Sequence, residues 1–301
     1  MELINPNIDI DFLKYRKIFI TVSIAFIAIG LVSILARGGL NYGIDFAGGT
    51  LVQLKFNEAA DIGKIRESLQ GIELGDSVIQ EFGSPEEILI RVEKSSESLK
   101  NLSDVITEAL QGSFGADAFI VERVEVVGPQ VGKDLRRKAL LALLYAMIGT
   151  LIYITFRFEL RFALGANLAL IHDVLITVGV FSLLNKEFNL PIIAAVLTIV
   201  GYSLNDTIVI FDRIRERLAL KKKEKFEVTV NQSISQTLGR TILTSLTTLI
   251  VVLALYFFGG EVIHDFAFAL IIGVVVGTYS TVFIASTTVV FFHNYRKPVK
   301  A

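Results

Sequence analysis

The sequence predicts an α-helical integral membrane protein with six transmembrane helices and a small α+β domain, a ferredoxin-like βαββαβ unit, between helices 1 and 2. Hydrophobic residues make up 52% of the 301-residue chain, and its mean hydropathy is +0.60. Six apolar runs are each long enough to supply the ~20 helical residues that cross a ~30 Å hydrocarbon core. A more polar stretch with alternating strand and helix patterns separates the first run from the second.

The apolar runs place the predicted spans at residues 17–36, 139–156, 162–184, 190–211, 241–258 and 266–292. The first run is too long for the apolar part of a signal peptide, and no small-residue cleavage site follows it, so we expect a retained signal-anchor helix. The predicted organisation is a cytoplasmic N-terminus with helix 1 over 1–37, an extracytoplasmic domain over 38–135, helices 2–6 over 136–292 and a cytoplasmic tail over 293–301.

Basic residues near the span ends predict that both termini lie on the cytoplasmic side of the inner cell membrane. The segment before span 1, the loops after spans 2 and 4, and the tail are all rich in lysine and arginine. The opposite side has Lys186 in its short loops, Arg37, and a basic cluster at 133–138. That cluster flanks a long translocated segment, where the charge rule is weak.

The domain between spans 1 and 2 is expected to fold as an α+β unit. It contains no nucleophile–base pair and no phosphate-binding loop, so we predict no enzymatic activity. The expected elements are a strand at 50–56, a helix capped by Asp61 with Ile62, Ile65 and Leu69 on one face, a hairpin of 77–82 and 88–93 across Gly83, a helix through Leu99 to Leu110, and a strand at 119–127.

Composition excludes several other classes of function. The net charge of −1 gives no bulk field for nucleic acid. The chain has no cysteine, which excludes disulfides, thiolate chemistry and cysteine metal sites. None of its three histidines is paired at helical spacing with another, so we expect no metal and no cofactor.

Three ionisable side chains interrupt the apolar spans and are the candidate ion-coupling residues. Asp206 lies in the fourth span, ~9 Å inside its cytoplasmic edge, and Asp173 lies ~18 Å deep in the third span beside His172. A charge at the bilayer centre costs ~2.5–3.5 kcal/mol on insertion scales, so such groups face a bundle interior, a partner or a water path. Asp206 therefore predicts a protein that handles protons or ions, with a static ion pair as the alternative.

The roles of the neighbouring polar residues stay open. His172 and Asp173 could relay protons toward Asp206, or could form a structural hydrogen bond to Ser or Thr on a neighbouring helix. Asn205 is interpreted as a donor in helix packing. The basic run at 221–225 could contact anionic lipid or a cytosolic partner, or could simply be a solvated loop.

Two glycine patterns have structural interpretations. Gly43, Gly48 and Gly49 follow span 1, but no Lys-Ser/Thr pair or helix start follows them as in a phosphate loop, so backbone turning is expected. Gly273 and Gly277 form a Gly-x-x-x-Gly spacing that allows close approach of another helix, either internal or from a partner.

A succession of motifs resembles the SecD/SecF family of protein-export membrane proteins, and within it the SecF subunits. The motifs cover nearly the whole chain. They are 41–50, which includes Asp45; 127–132, which includes Gly128 and Pro129; 172–174; 201–207; 211–216; and 236–241.

The resemblance implies a half of a twelve-span assembly related to the resistance–nodulation–division transporters, completed by SecD. It implies association with the SecYEG channel and use of the proton gradient, or sodium in some organisms, to promote late translocation of unfolded preproteins across the lipid bilayer. The functional acid and base of the family match Asp206 and Arg240. Two other functions stay open: half of a small-molecule or lipid exporter of the same superfamily, and a passive channel scaffold.

Overall fold

The computed structural model describes residues 10–92, 102–220 and 224–295. The chain divides into two compact units. One comprises Tyr42–Leu141 together with Glu187–Leu190, and the other comprises the described residues up to Asn41, Ala142–Lys186 and the described residues from Pro191 onward.

Six helices within the described residues are long and apolar enough to cross a membrane, as predicted. The first, α1 (Arg16–Ala36), follows a 3₁₀ turn at Phe12–Tyr15, and the last consists of α9 (Glu261–Ser280), a π-helical turn (Thr281–Ala285) and α10 (Ser286–Tyr295). The helices between them are α5 (Pro129–Arg157), α6 (Leu160–Leu183), α7 (Leu190–Leu220) and α8 (Phe226–Phe258).

The ends of three of these helices differ from the predicted span ends. Helix α5 begins at Pro129 rather than near 139, α7 continues to Leu220 rather than ending at 211, and α8 begins at Phe226 rather than at 241. The predicted ends lie where the apolar runs stop. Arg, Glu, Gln and Lys have high helix propensity, so the helices continue past those points. Proline at the first helical position fits the start of α5. Arg240 therefore lies inside α8 and does not open it.

The smaller unit, which comprises Tyr42–Leu141 and Glu187–Leu190, follows the predicted order of strands and helices. Its elements are α2 (Ile44–Ala47), β1 (Gly49–Phe56), α3 (Ile62–Gln70), β2 (Val78–Phe82), β3 (Ser84–Val92), α4 (Leu102–Phe114) and β4 (Phe119–Val127). The four strands form one sheet in the order β2-β3-β1-β4, and every pairing is antiparallel.

The core of this unit lies between one face of the sheet and helices α3 and α4. Val52 and Leu54 of β1 and Ile65 and Leu69 of α3 are fully buried together. Asp61 caps α3 as predicted, since its Oδ1 accepts from the Gly63 amide at 2.8 Å. The predicted helix residue Leu99 lies outside the described residues.

The hairpin turn is tighter than predicted. Strand β3 begins at Ser84, four residues before the expected start, because Gly83 adopts a φ of 78° and lets Phe82 pair directly with Ser84. The carbonyl of Pro85 accepts the Ala60 amide at 3.0 Å, which satisfies the backbone at a residue that cannot donate.

Close helix packing organises the membrane unit around α6. A Cβ atom on Gly30 of α1 would lie 2.7 Å from the Cα of Gly179 on α6, so the two helices touch backbone to backbone. Helix α6 also packs against α9, the π-helical turn and α10. Small residues at these crossings bring polar side chains of different helices within hydrogen-bond distance of one another.

Candidate ion-coupling site

Asp206 is buried in α7, with 3% of its surface exposed. Two hydroxyls of α8 approach its carboxyl group: Thr244 lies 3.4 Å from Oδ1 and Ser245 lies 3.5 Å from Oδ2. Both hydroxyls have closer partners, because Thr244 lies 3.0 Å from the Arg240 carbonyl and Ser245 lies 2.7 Å from the Thr278 hydroxyl. The carboxyl group of Asp206 is thus held only loosely.

Arg240 lies on α8 near Asp206 but does not form an ion pair with it. Within the described ranges, no nitrogen of Arg240 comes within the 4.0 Å that defines a salt bridge to an acidic side chain, and the guanidinium group interacts with Asp206 only through longer-range electrostatics. The static ion pair is therefore not the arrangement seen. Arg240 is exposed and lines an open groove of about 1070 Å³.

Asn205 lines the same groove and is exposed on α7. The packing hydrogen bond predicted for it is absent from the part of the chain that the structure describes. The reason is the direction of its face: Asp206 turns into the bundle, whereas Asn205, one residue earlier, is rotated by ~100° around the helix axis. The groove also contains Asp212, Arg213 and Glu216, so its floor carries both signs of charge.

Asp173 is fully buried on α6 and its carboxyl group is tightly bonded. Its Oδ2 accepts from Ser203 of α7 at 2.7 Å and from Ser280 of α9 at 2.9 Å. Its Oδ1 lies 2.9 Å from Nδ1 of His172. The predicted bond to serine on a neighbouring helix is present twice. No hydrogen bond within the described ranges joins this cluster to the carboxyl group of Asp206, so the relay stays a prediction.

His172 connects the cluster to one further helix, α1, and through it makes a second link to α9. Its Nε2 lies 2.9 Å from Oγ of Ser23 on α1, and Ser23 lies 2.8 Å from the phenol oxygen of Tyr279 on α9. The Tyr279 hydroxyl donates to the Phe19 carbonyl of α1 at 2.5 Å. The imidazole and phenol rings are stacked, with centroids 5.8 Å apart.

Sequence reasoning missed Ser23, Ser203, Ser280 and Tyr279 as members of this cluster. Each is a hydroxyl-bearing residue within a predicted span, and such residues commonly bond across helices in membranes. That general signal marks them as candidates for interhelical bonds. It does not say which side chains would meet, because the side chains of the whole cluster come from four different helices, α1, α6, α7 and α9.

The glycine motif after span 1 forms a backbone clamp in the smaller unit. The Gly43 amide donates to the Phe188 carbonyl at 3.1 Å, and Oδ2 of Asp45 accepts the Leu190 amide at 2.9 Å. Arg91 of β3 donates to the Tyr42 carbonyl at 3.0 Å and pairs with Glu187 at 2.8 Å. The motif therefore holds the Glu187–Leu190 segment.

Two glycines of the motif turn the backbone as predicted. Gly48 has a φ of 79° and Gly49 a φ of 129°, and a Cβ atom on Gly48 would lie 2.8 Å from the Cα of Pro129. Gly128 precedes Pro129, and a Cβ atom there would meet no atom within 4 Å.

The Gly-x-x-x-Gly pair of span 6 packs against an internal helix. A Cβ atom on Gly273 would collide with Ile199 of α7, and one on Gly277 would lie 3.2 Å from Cβ of Ser203. This contact places α9 beside the α7 face that carries Ser203. In the basic run at 221–225, residues 221–223 lie outside the described residues.

Comparison with known proteins gives a consistent result. Residues 106–295 match the C-terminal domain of the protein export membrane proteins SecD and SecF, and residues 32–60 match the SecD/SecF GG motif. The chain is 53% identical over 300 residues to the protein translocase subunit SecF of Calditerrivibrio nitroreducens. The aligned residues cover 99% of this chain and 98% of that protein. It is 43% identical over 284 residues to SecF of Pseudomonas aeruginosa, covering 94% of this chain and 92% of that one.

A solved structure is also similar. The translocon-associated membrane protein SecDF of Thermus matches with a TM-score of 0.86 and 38% identity over 98% of this chain. The present chain spans 40% of the length of that SecDF chain.

Proposed function

Because the chain belongs to the SecD/SecF family of protein export membrane proteins, we propose that it works with SecD as a non-enzymatic translocase subunit driven by an ion gradient. In this proposal a proton (or sodium) gradient promotes late translocation and release of unfolded preproteins across the cytoplasmic membrane. The similarity of the chain to 40% of the Thermus SecDF chain supports a partnership with SecD, and we propose that the pair acts beside the SecYEG channel.

The observation that carries the proposal is the loose environment of Asp206. A guanidinium group stabilises an ionised carboxylate, whereas an apolar environment stabilises the neutral acid. Asp206 has hydroxyls at 3.4 and 3.5 Å and no ion pair with any described residue, and Arg240 lies on the adjacent helix. A small shift between α7 and α8 would change the distance from Arg240 to Asp206 and with it the preferred protonation state.

The energies make this mechanism feasible. One charge crossing the membrane potential supplies ~2.3 kcal/mol per 100 mV. Moving a two-state equilibrium from 1:99 to 99:1 requires ~5.5 kcal/mol. One ion per cycle would therefore bias a conformational change strongly without making it complete, and additional bias would come from the partner or the substrate.

We propose that the smaller unit, predicted at 38–135, is a ferredoxin-like domain on the extracytoplasmic side, with both termini in the cytoplasm. The order βαββαβ and the sheet order β2-β3-β1-β4 support the fold assignment. The distribution of basic residues supports the orientation. On that side the domain could contact a preprotein as it leaves the channel.

A translocation assay in cells depleted of the native subunit tests the proposal. Asp206→Asn should let unprocessed precursors accumulate, while the protein still co-purifies with SecD. Asp212→Asn changes a half-buried acid on the same helix, whose ion pairs are with Arg157 and Arg215, and this matched control should restore export. Normal export with Asp206→Asn would support a passive scaffold instead, and normal export in depleted cells without any copy would support an unrelated exporter.

A further inference from the structure

A chain of hydrogen bonds around His172 has a direction that is fixed at one end. The Phe19 carbonyl can only accept, so the hydrogen of the Tyr279 hydroxyl must point to it across 2.5 Å. A phenol has a single hydrogen, and therefore Tyr279 can only accept from Ser23. The Ser23 hydrogen is thereby used in turn, at an oxygen–oxygen distance of 2.8 Å.

The same count fixes the proton on His172. With its own hydrogen directed to Tyr279, Ser23 can only accept at the 2.9 Å contact with His172, so Nε2 must carry a hydrogen. Neutral imidazole has one N–H, which leaves Nδ1 without a proton in the neutral ring. That Nδ1 lies 2.9 Å from Oδ1 of Asp173.

An ionised Asp173 facing a bare Nδ1 would bring two lone pairs together in a buried site. One additional proton between these atoms removes the conflict, either as the acid Oδ1–H or as imidazolium Nδ1–H. The other oxygen, Oδ2, already accepts from Ser203 at 2.7 Å and from Ser280 at 2.9 Å. Both placements of the proton leave the pair without net charge, which is the inexpensive state inside a membrane.

We infer that His172 and Asp173 together form a buried proton-binding site, that it holds one proton in the conformation described here, and that Ser23 and Tyr279 are positioning residues that keep it loaded. The inference goes beyond the proposed function, because it does not depend on what the proton drives. It adds a second site in the third span to the one at Asp206.

The charged groups on the neighbouring helices are not placed to compensate an ionised Asp173. Arg16 and Lys17 begin α1 and are at least six residues, or ~9 Å of helix, from Ser23. Glu261, His264 and Asp265 lie in the first turns of α9, far along the helix from Tyr279, and His293 of α10 bonds to Arg161. Asp206 of α7 contacts Thr244 and Ser245 instead. In the part of the chain that the structure describes, no lysine or arginine forms an ion pair with Asp173.

Removing the phenol hydroxyl of Tyr279 should allow the hydrogen bond between Ser23 and His172 to reverse its direction. In Tyr279→Phe the Ser23 hydroxyl can donate to Nε2, so the ring can carry its hydrogen on Nδ1 and donate to an ionised Asp173. The extra proton is then no longer required. One hydrogen bond of ordinary net strength changes such a ratio by about tenfold.

Nitrogen-15 NMR of the full-length chain in lipid bilayers tests the inference, since the chain has only three histidines. His264→Gln and His293→Gln assign the His172 signals. We expect Nε2 of His172 to be protonated, and Tyr279→Phe to raise the ratio of the Nδ1–H to the Nε2–H neutral form by about tenfold. Tyr145→Phe, an exposed tyrosine on α5, is the control and should change nothing.

Asp173→Asn provides a second arm that keeps the shape of the site. The amide can donate to Nδ1 and its oxygen can accept from both serines, so every His172 ring should stay in the neutral Nε2–H form. A neutral Nδ1–H ring in the unmodified protein or in Asp173→Asn would overturn the inference. So would a Tyr279→Phe spectrum identical to that of Tyr145→Phe.

Discussion

Ser245 lies 3.5 Å from Oδ2 of Asp206 but 2.7 Å from the hydroxyl of Thr278. The acid in the fourth span is therefore approached by a hydroxyl whose stronger partner lies elsewhere. Asp173 contrasts with it, because both of its carboxyl oxygens have partners within 2.9 Å. Of the two buried acids, Asp206 has the environment that a small helix movement can change most.

Arg240→Ala should reduce ion-coupled export while leaving the fold intact. The guanidinium group is exposed and forms no ion pair with a described residue, so its loss removes no close contact of the folded chain. We expect the thermal midpoint to stay within about 2 °C, which corresponds to less than about 1 kcal/mol for a chain of this size. Export assays beside thermal unfolding separate the two effects. Export equal to that of the unmodified protein would show that Arg240 is dispensable.

Arg91→Ala should destabilise the smaller unit by about 3 kcal/mol, because it removes a charged donor that is 6% exposed and leaves Glu187 and the Tyr42 carbonyl without it. Arg123→Ala is the matched control, since Arg123 pairs with Glu125 at the surface. There the loss should be less than about 1 kcal/mol. Equal losses in chemical denaturation of the two variants would contradict the role assigned to Arg91.

Gly30→Ala should loosen the contact between α1 and α6. Its Cβ would lie 2.7 Å from the Gly179 Cα, so the helices must separate, at a cost of about 1–3 kcal/mol. Gly149→Ala on α5 meets no atom within 4 Å and should cost nothing. Thermal unfolding in lipid or detergent compares the two. Equal midpoints for the two variants would mean that the close approach is not required.

The membrane spans could be predicted from the sequence, because an apolar run of ~20 residues has few other solutions. The ends of the helices could not be predicted from hydropathy. Polar residues with high helix propensity extend α7 over Arg213 to Leu220 and α8 over Phe226 to Arg240. The acids Asp173 and Asp206 could also be predicted as site residues, because a carboxyl group stands out inside an apolar run. Ser23 and Tyr279 were not, because their partners exist only after Gly30 and Gly179 bring α1 against α6.

The exposed acid Glu86 allows a pH prediction outside the membrane. The Ser84 hydroxyl donates to it and lowers the pKa of Glu86 below its usual 4.5. A lowered folded-state pKa stabilises the fold above the unfolded value, and that contribution is lost as the pH falls through the folded value. Ser84→Ala should therefore raise the pKa of Glu86, as read by carboxyl NMR titration. The control Ser68→Ala, whose hydroxyl donates to the Lys64 carbonyl, should leave it unchanged.

In the proposed function, Asp206 changes its protonation state while the complex moves a preprotein. Proton flux into vesicles that contain the purified complex with SecD and an unfolded polypeptide measures this most directly. We predict flux that depends on the polypeptide in the unmodified protein and in Asp212→Asn, and its loss in Asp206→Asn. Undiminished flux in an assembled Asp206→Asn complex would contradict the claim.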